Sequence, residues 1–347
     1  MRHLSYFVIA ASLVGAGAAQ AAPKVAATAA HAPPYRAPRT SFGTPDLQGL
    51  WTNSSLTFLS RPPIFKGLIA TPAEEKMMKA GFGSLLGDIL KPTSDPNAPA
   101  PAVVKEAPQA DYIEMDLNLA RIDGQPRSSW IVEPADGKVP FTAAAKAARA
   151  AAAKAPENFD GPEARDTQER CLTAIGSPEG PPMMNTGFNA NYQILQTPDH
   201  VAIYVEMNHD VRIVRMSDRQ HIPAAVQPWL GDSVGWWDGD TLVVETTNFN
   251  PKGHVYSLGG GFGYSEKTRI TERFTRTARD QILYEFTVSD PINFTRPFSA
   301  QMPMRPAKGP IYEYACHEGN YSLANILAGA RAEERAASGA APRHAAP

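Results

Sequence analysis

Between residues 191 and 302, apolar and polar positions alternate in short runs broken by turn residues. Residues 192–197, 201–207 and 211–216 are β-type runs, separated by Pro198-Asp199-His200 and Asn208-His209-Asp210. The clearest pair of runs flanks Asp238-Gly239-Asp240, with Trp236 and Trp237 before the turn and the β-branched run 241–249 after it. Gly takes positive φ without steric cost and Asp tolerates it, so this stretch predicts a β-hairpin. Residues 268–277, 281–289 and 294–302 continue the pattern, and 311–315 reads as a last short strand. Strands at this spacing with little helix between them predict a mainly β fold, an antiparallel meander closing into a barrel.

The first half reads differently. Residues 22–43 form an Ala/Pro-rich lead-in, and 44–190 form a loop-rich part with short helices expected to pack on the barrel. Thr71-Pro72-Ala73-Glu74 is a helix start of the capping-box type, with Gly81 as its stop. Thr142 caps the Ala-rich run 143–155, a surface helix, and 129–132 is a short strand. The barrel and a C-terminal helix occupy 191–336. Asn320 caps that helix, and Leu323, Ile326, Leu327 and Ala330 form one stripe against the barrel. Residues 337–347 read as a disordered tail. The chain carries 32 Pro, which interrupt helices and central strands, so extended loops should wrap the core.

The formal net charge of -2 gives no electrostatic reason to bind nucleic acid. Residues 1–21 have the form of a secretory signal: Arg2 and His3, an apolar run of ~15 residues that is short against the roughly 20 needed to span a bilayer, then Ala19-Gln20-Ala21. No later stretch reaches transmembrane length, so a periplasmic or secreted protein is expected. There the two cysteines, Cys171 and Cys316, should pair.

Candidate chemistry is sparse. Glu206, Glu245, Glu272 and Glu285 each interrupt an apolar or Thr-rich run. Glu285 shares a strand face with Leu283 and Thr287, opposite Ile282, Tyr284, Phe286 and Val288. Either the Glu face is solvated, or it lines a polar lumen. An inward Glu would demand a cation, and Arg212 and Arg296 are the candidates. His209-Asp210 and His317-Glu318 are the best histidine contexts for acid/base chemistry. Metal-ligand spacings, a P-loop and G-x-S-x-G are absent, so neither a metal nor a cofactor is expected.

Gly49-Leu50-Trp51 resembles the G-x-W that opens the first strand of lipocalins and related calycin barrels, although the clear strands here begin ~140 residues later. More widely, 45–51, 196–200, 231–249 and 315–325 are similar to a group of uncharacterised exported bacterial proteins. The resemblance implies a lipocalin-like β fold and export. Two functions are then in view. One is binding of a small, partly apolar or aromatic molecule in the barrel, with Tyr204, Trp236 and Trp237 as wall and Arg212, Glu245, Glu285, Glu206 and Arg296 for polar groups. The other is a cofactor-independent isomerase, lyase or hydrolase using His209 or His317 with a carboxylate such as Glu206.

Overall fold

The computed structural model describes residues 35–89, 116–257 and 260–338, without the side chains of 85–89. The expected signal segment and most of the lead-in and tail lie outside these residues. The strands are β1 (Gly49–Thr52), β2 (Arg121–Ile122), β3 (Gln125–Pro126), β4 (Ile131–Glu133), β5 (Asn191–Gln196), β6 (His200–Val205) and β7 (Val211–Arg215). They continue with β8 (Asp232–Asp238), β9 (Thr241–Thr247), β10 (His254–Val255), β11 (Phe262–Gly263), β12 (Arg269–Ala278), β13 (Gln281–Ser289) and β14 (Phe298–Pro306). Nine of them close a barrel in the order β1-β5-β6-β7-β8-β9-β12-β13-β14, and β1 pairs back with β14. β4 extends the sheet beyond β14, while β2–β3 and β10–β11 are small separate ribbons.

Two corrections to the sequence reading concern this closure. First, the barrel does not begin at Asn191: Gly49–Thr52 is its closing strand, paired antiparallel with both β5 and β14. Four residues are too few to show a period. Gly49 is needed there, since its φ of +135° is one that L side chains rarely adopt, and a Cβ would sit 3.3 Å from Trp51 Nε1. Trp51 is buried, donates Nε1–H to Leu47 O at 3.0 Å and lies under the Arg276 guanidinium. Second, the meander is not wholly antiparallel: β7 and β8 run parallel, joined through only Val214↔Ser233 and Arg215↔Val234. Parallel neighbours need a long crossover, and the connection 216–231 supplies it where a tight turn would have enforced antiparallel pairing. Nine strands with a parallel junction differ from the eight-stranded up-and-down lipocalin barrel.

The expected lumen is filled. Alternation places Ile194, Ile203, Val214, Val244, Phe274 and Phe286 inward, and they join one continuous core. The segment 177–186 closes one end of the barrel. Met183 N–H donates to Tyr284 Oη (2.9 Å), Tyr264 Oη–H to Pro181 O (2.8 Å) and Tyr192 Oη–H to Met184 O (3.3 Å).

The helices are α1 (Pro72–Ile89), α2 (Ala143–Ala152) and α3 (Ser322–Ala337). The capping box of α1 forms: Glu74 Oε2 accepts from Thr71 N at 2.7 Å, and Thr71 Oγ1 accepts from Glu74 N at 3.3 Å. Gly81 does not stop α1, because an internal Gly costs a helix only ~1 kcal/mol. α2 starts at Thr142 and buries no residue. α3 starts after Tyr321; Asn320 donates to Glu169 O instead of capping, and no residue of α3 is fully buried. The expected strand 311–315 is an extended strap without ladder pairing. Cys171 and Cys316 form a disulfide that ties this strap to the first half of the chain. Among the described residues no helix is long and apolar enough to cross a membrane.

Candidate functional site

Arg212 and Glu272 meet inside the barrel. Each shares the inward face of its strand, and the guanidinium grips the carboxylate with Nη1–Oε1 at 3.0 Å and Nη2–Oε2 at 2.5 Å. Tyr284 Oη–H donates to Glu272 Oε1 at 2.7 Å. Burial works to lower the Arg212 pKa, but Glu272 outweighs it and holds the pKa above the ordinary value. Burial, then the charge on Glu272, push the Tyr284 phenol well up. A buried pair adds little net stability over hydrocarbon, yet breaking it leaves an uncompensated charge. The inward Glu that demands a cation is therefore Glu272, and Arg212 is its partner.

The turn from β6 to β7 is the unusual part of the fold. Asn208 (φ 58°) and His209 (φ 46°) are consecutive non-glycine residues in the left-handed region, a conformation that surrounding structure must hold in place. Glu206, before the turn, is buried and accepts from Asn191 Nδ2 at 2.6 Å and from Tyr312 N at 3.0 Å. It anchors the strap to the barrel. His209 is exposed, with Nδ1 2.9 Å from Tyr314 O. Because a carbonyl only accepts, the neutral ring carries its proton on Nδ1 and leaves Nε2 as a free acceptor.

Two carboxyls near the turn are poised to hold protons. Burial raises the Asp210 pKa to about 6, against the opposing charge of His209. Burial raises Glu179, on the segment that closes the barrel, to about 8; the Ala174 N–H on its Oε1 (2.9 Å) opposes the shift and the Asp210 charge adds to it. Four buried polar atoms in this neighbourhood have no hydrogen-bond partner: Glu179 Oε2, Asn208 Nδ2, Asp210 Oδ2 and Arg212 Nε. Buried polar groups in native proteins nearly always have partners, and these four side-chain atoms lacking one gather around the turn.

Three clefts open around this same turn, all outside the barrel wall. One, of about 710 Å³, lies between the strap and the outer face of β5–β6 and includes Tyr204, His209 and Tyr312. A second, of about 910 Å³, follows the strap past Glu206 and the disulfide to Leu323 and Ile326 of α3. The third, of about 340 Å³, sits where β7 and β8 diverge, with Asp210 and Arg212 beside Val211, Ile213, Trp229 and Leu230. That divergence is the parallel seam, where no ladder pair joins 211–213 to β8.

The remaining sequence candidates are dispersed. Glu245 faces outward between His221 Nε2 (3.2 Å) and Arg269 Nη1 (2.5 Å). Glu285 also faces outward and accepts from Gln301 Nε2 at 2.8 Å. For these two the solvated-face alternative holds. Trp236 is half-buried beneath Arg219, whose guanidinium lies 4.3 Å from the ring centroid, and Trp237 packs against the core. Arg296 and His317 are exposed on loops and make no side-chain hydrogen bond or ion pair among the described residues. Among the described residues no group of three or more His, Cys, Asp or Glu is placed to hold a metal.

Glu179 and His221 escaped the sequence reading. Glu179 lies in Pro-Glu-Gly-Pro-Pro, which has the look of an exposed loop and carries no burial signal. His221 bridges Asp232 Oδ2 (2.8 Å) and Glu245 Oε1 (3.2 Å) across a crossover whose path has no local pattern. No protein-family model, curated protein or solved structure matches the chain.

Proposed function

We propose that the chain is an exported protein that binds a small, partly apolar molecule at the β6–β7 corner, in the cleft at the β7–β8 seam. The observation that carries this is a cleft whose walls join the outward-facing, half-exposed Val211 and Ile213 to Trp229 and Leu230, with Asp210 in the same lining. Asp210 supplies a carboxyl to this lining, while the Arg212 side chain turns into the barrel to Glu272. About 340 Å³ falls in the range of small-molecule pockets, which combine apolar walls with a few convergent polar groups. The ligand sits outside the lumen because inward-facing side chains already fill the barrel. The disulfide supports an oxidising compartment, and the Gly49-Leu50-Trp51 opening supports kinship with calycin barrels.

The test is a fragment screen on the disulfide-intact protein by thermal shift and by NMR of the tryptophan indoles. Hits are expected to raise the melting temperature of the wild type and to lose affinity at least tenfold in Trp229→Ala. Hits that ignore this substitution, or an empty screen, would sink the reading.

A second reading, proton-transfer catalysis at the same corner, is favoured by one further observation. Asp210, with its pKa near 6, follows His209, whose Nδ1 is tied to the Tyr314 carbonyl. A group that titrates close to the working pH suits general acid/base work. Turnover of a screened hit, lost in both Asp210→Asn and His209→Gln, would support it. Binding without turnover of any hit would exclude it.

A further inference from the structure

Resting on the seam-cleft reading, we propose that the ligand is a short extended peptide whose main chain pairs with the open edge of β7 at 211–213. In an antiparallel pair, successive residues of a strand turn their main-chain groups to opposite sides. Val205 N–H donates to Asp210 O at 2.8 Å, and the register sets Tyr204 opposite Val211 and Ile203 opposite Arg212. Arg212 therefore bonds back to β6, and Val211 and Ile213 turn their N–H and C=O groups across the seam toward β8. The ladder there starts only at Val214↔Ser233. Among the described residues nothing pairs with Val211 N–H, Val211 C=O or Ile213 N–H.

An open strand edge is a template for another strand, and natural edges are blunted by Lys, Pro or a bulge. This edge carries none of these: its outward side chains are Val211 and Ile213, 48 % and 49 % exposed. It borders the seam cleft. Arg212, whose side chain is 2 % exposed, reaches the cleft lining through its main chain. Across the cleft, Pro228, Trp229 and Leu230 offer apolar contact to the side chains of an added strand, the usual division of labour in strand addition. Three residues of edge run ~10 Å. The crossover stands opposite, so the cleft of about 340 Å³ admits one extended segment and not the wall of a second barrel. A hydrocarbon of the same size leaves all three main-chain groups unpaired, whereas a peptide brings donors and acceptors at strand spacing.

The experiment titrates the disulfide-intact chain with three blocked tripeptides: acetyl-Val-Phe-Val-amide, acetyl-Leu-Tyr-Leu-amide and acetyl-Ala-Trp-Ala-amide. Binding is read by calorimetry and by the backbone amide resonances of β7. At least one tripeptide is expected to bind, shifting the Val211 and Ile213 amides and slowing their exchange. The Arg212 amide, already bonded to β6, should stay where it is. Replacing each peptide N–H in turn by an ester oxygen should weaken binding roughly tenfold or more at a linkage that faces β7, and less than about threefold at one that faces away. Failure of all three tripeptides to bind, or esters that all bind as tightly as their parent, overturns the inference. A dimer in sedimentation that the tripeptides dissociate overturns it too, in favour of a second copy on the edge. If Trp229-dependent fragments bind and the tripeptides do not, this inference falls and the seam-cleft reading stands. If neither binds, both fall.

Discussion

Replacing Glu179 with Gln should abolish most of the stability loss that the protein undergoes on going from mildly acid to mildly alkaline solution. Glu179 is 2 % exposed, and burial lifts its pKa from an ordinary 4.5 to about 8. Below pH 4.5 the folded and unfolded chains both hold this proton, and stability is at its full value. Between 4.5 and 8 the unfolded chain releases the proton while the native state keeps it, so stability falls with rising pH. Above 8 the native carboxyl ionises too, and the loss levels off. Each pH unit in that window corresponds to about 1.4 kcal/mol, so the full difference approaches ~5 kcal/mol. Water penetration and relaxation around a buried charge reduce such figures, and a loss of about 2–5 kcal/mol is expected. That is a large share of the ~5–15 kcal/mol total of a typical domain.

Glutamine keeps the oxygen that accepts from Ala174 N and cannot ionise. The assay is denaturant unfolding at pH 6, 7, 8 and 9, followed by far-ultraviolet circular dichroism with the disulfide intact. This range lies above the titration of Asp210, which loses stability in the same direction at lower pH, from 3.8 to about 6. It also lies above the window of Asp232, whose depressed carboxyl pKa acts in the opposite direction at still lower pH. Glu179→Gln should already exceed the wild type at pH 6, because the window opens at 4.5, and its margin should widen up to pH 8 and then level off. Identical slopes in the two proteins would mean that Glu179 is solvated in the native state, and the description of a closed barrel end would be wrong.

Three further outcomes are expected. Arg212→Met should destabilise by about 3–5 kcal/mol by leaving Glu272 buried and unpaired, and the Arg212→Met/Glu272→Met double variant should recover most of that loss; thermal denaturation of the three proteins decides it. Removing the disulfide, which spans 145 residues, by Cys171→Ser/Cys316→Ser should lower stability by up to ~5 kcal/mol on the chain-entropy account. It should also speed hydrogen exchange along the strap 310–320, and unchanged exchange there would show that Glu206 alone holds it. His221→Ala should loosen the crossover 216–231, seen as faster hydrogen exchange of Ile222 N–H, at under ~1 kcal/mol of global stability, since these ion pairs are partly solvated.

The strands from β5 to β14, except the two-residue β10 and β11, were legible because a period of two needs only local sequence, and Gln281–Ser289 shows it over nine residues. The hairpin at Asp238-Gly239-Asp240 was legible for the same reason, its turn chemistry being local. The Cys171–Cys316 pairing was expected from there being two cysteines in a chain whose first residues read as an export signal. The capping box at Thr71 and Glu74 likewise involves residues three apart.

What escaped depends on where distant segments meet. Glu245 and Glu272 sit in similar alternating runs, yet one ends outside against His221 and the other inside against Arg212. β1 is closed by partners more than 130 residues away, so its four residues revealed nothing alone. Whether the lumen is hollow depends on the summed volume of side chains from nine strands and a closing loop, which no single run contains. Glu179 becomes an acid with a pKa near 8 because burial strips its carboxyl of water, and that burial is set by where its loop meets the barrel. Sequence determined the strands, their turns and the covalent tie, since these depend on neighbours in the chain. Tertiary structure alone decided which carboxyls are buried and where a ligand has room, since burial and packing are set by contacts between residues far apart in it.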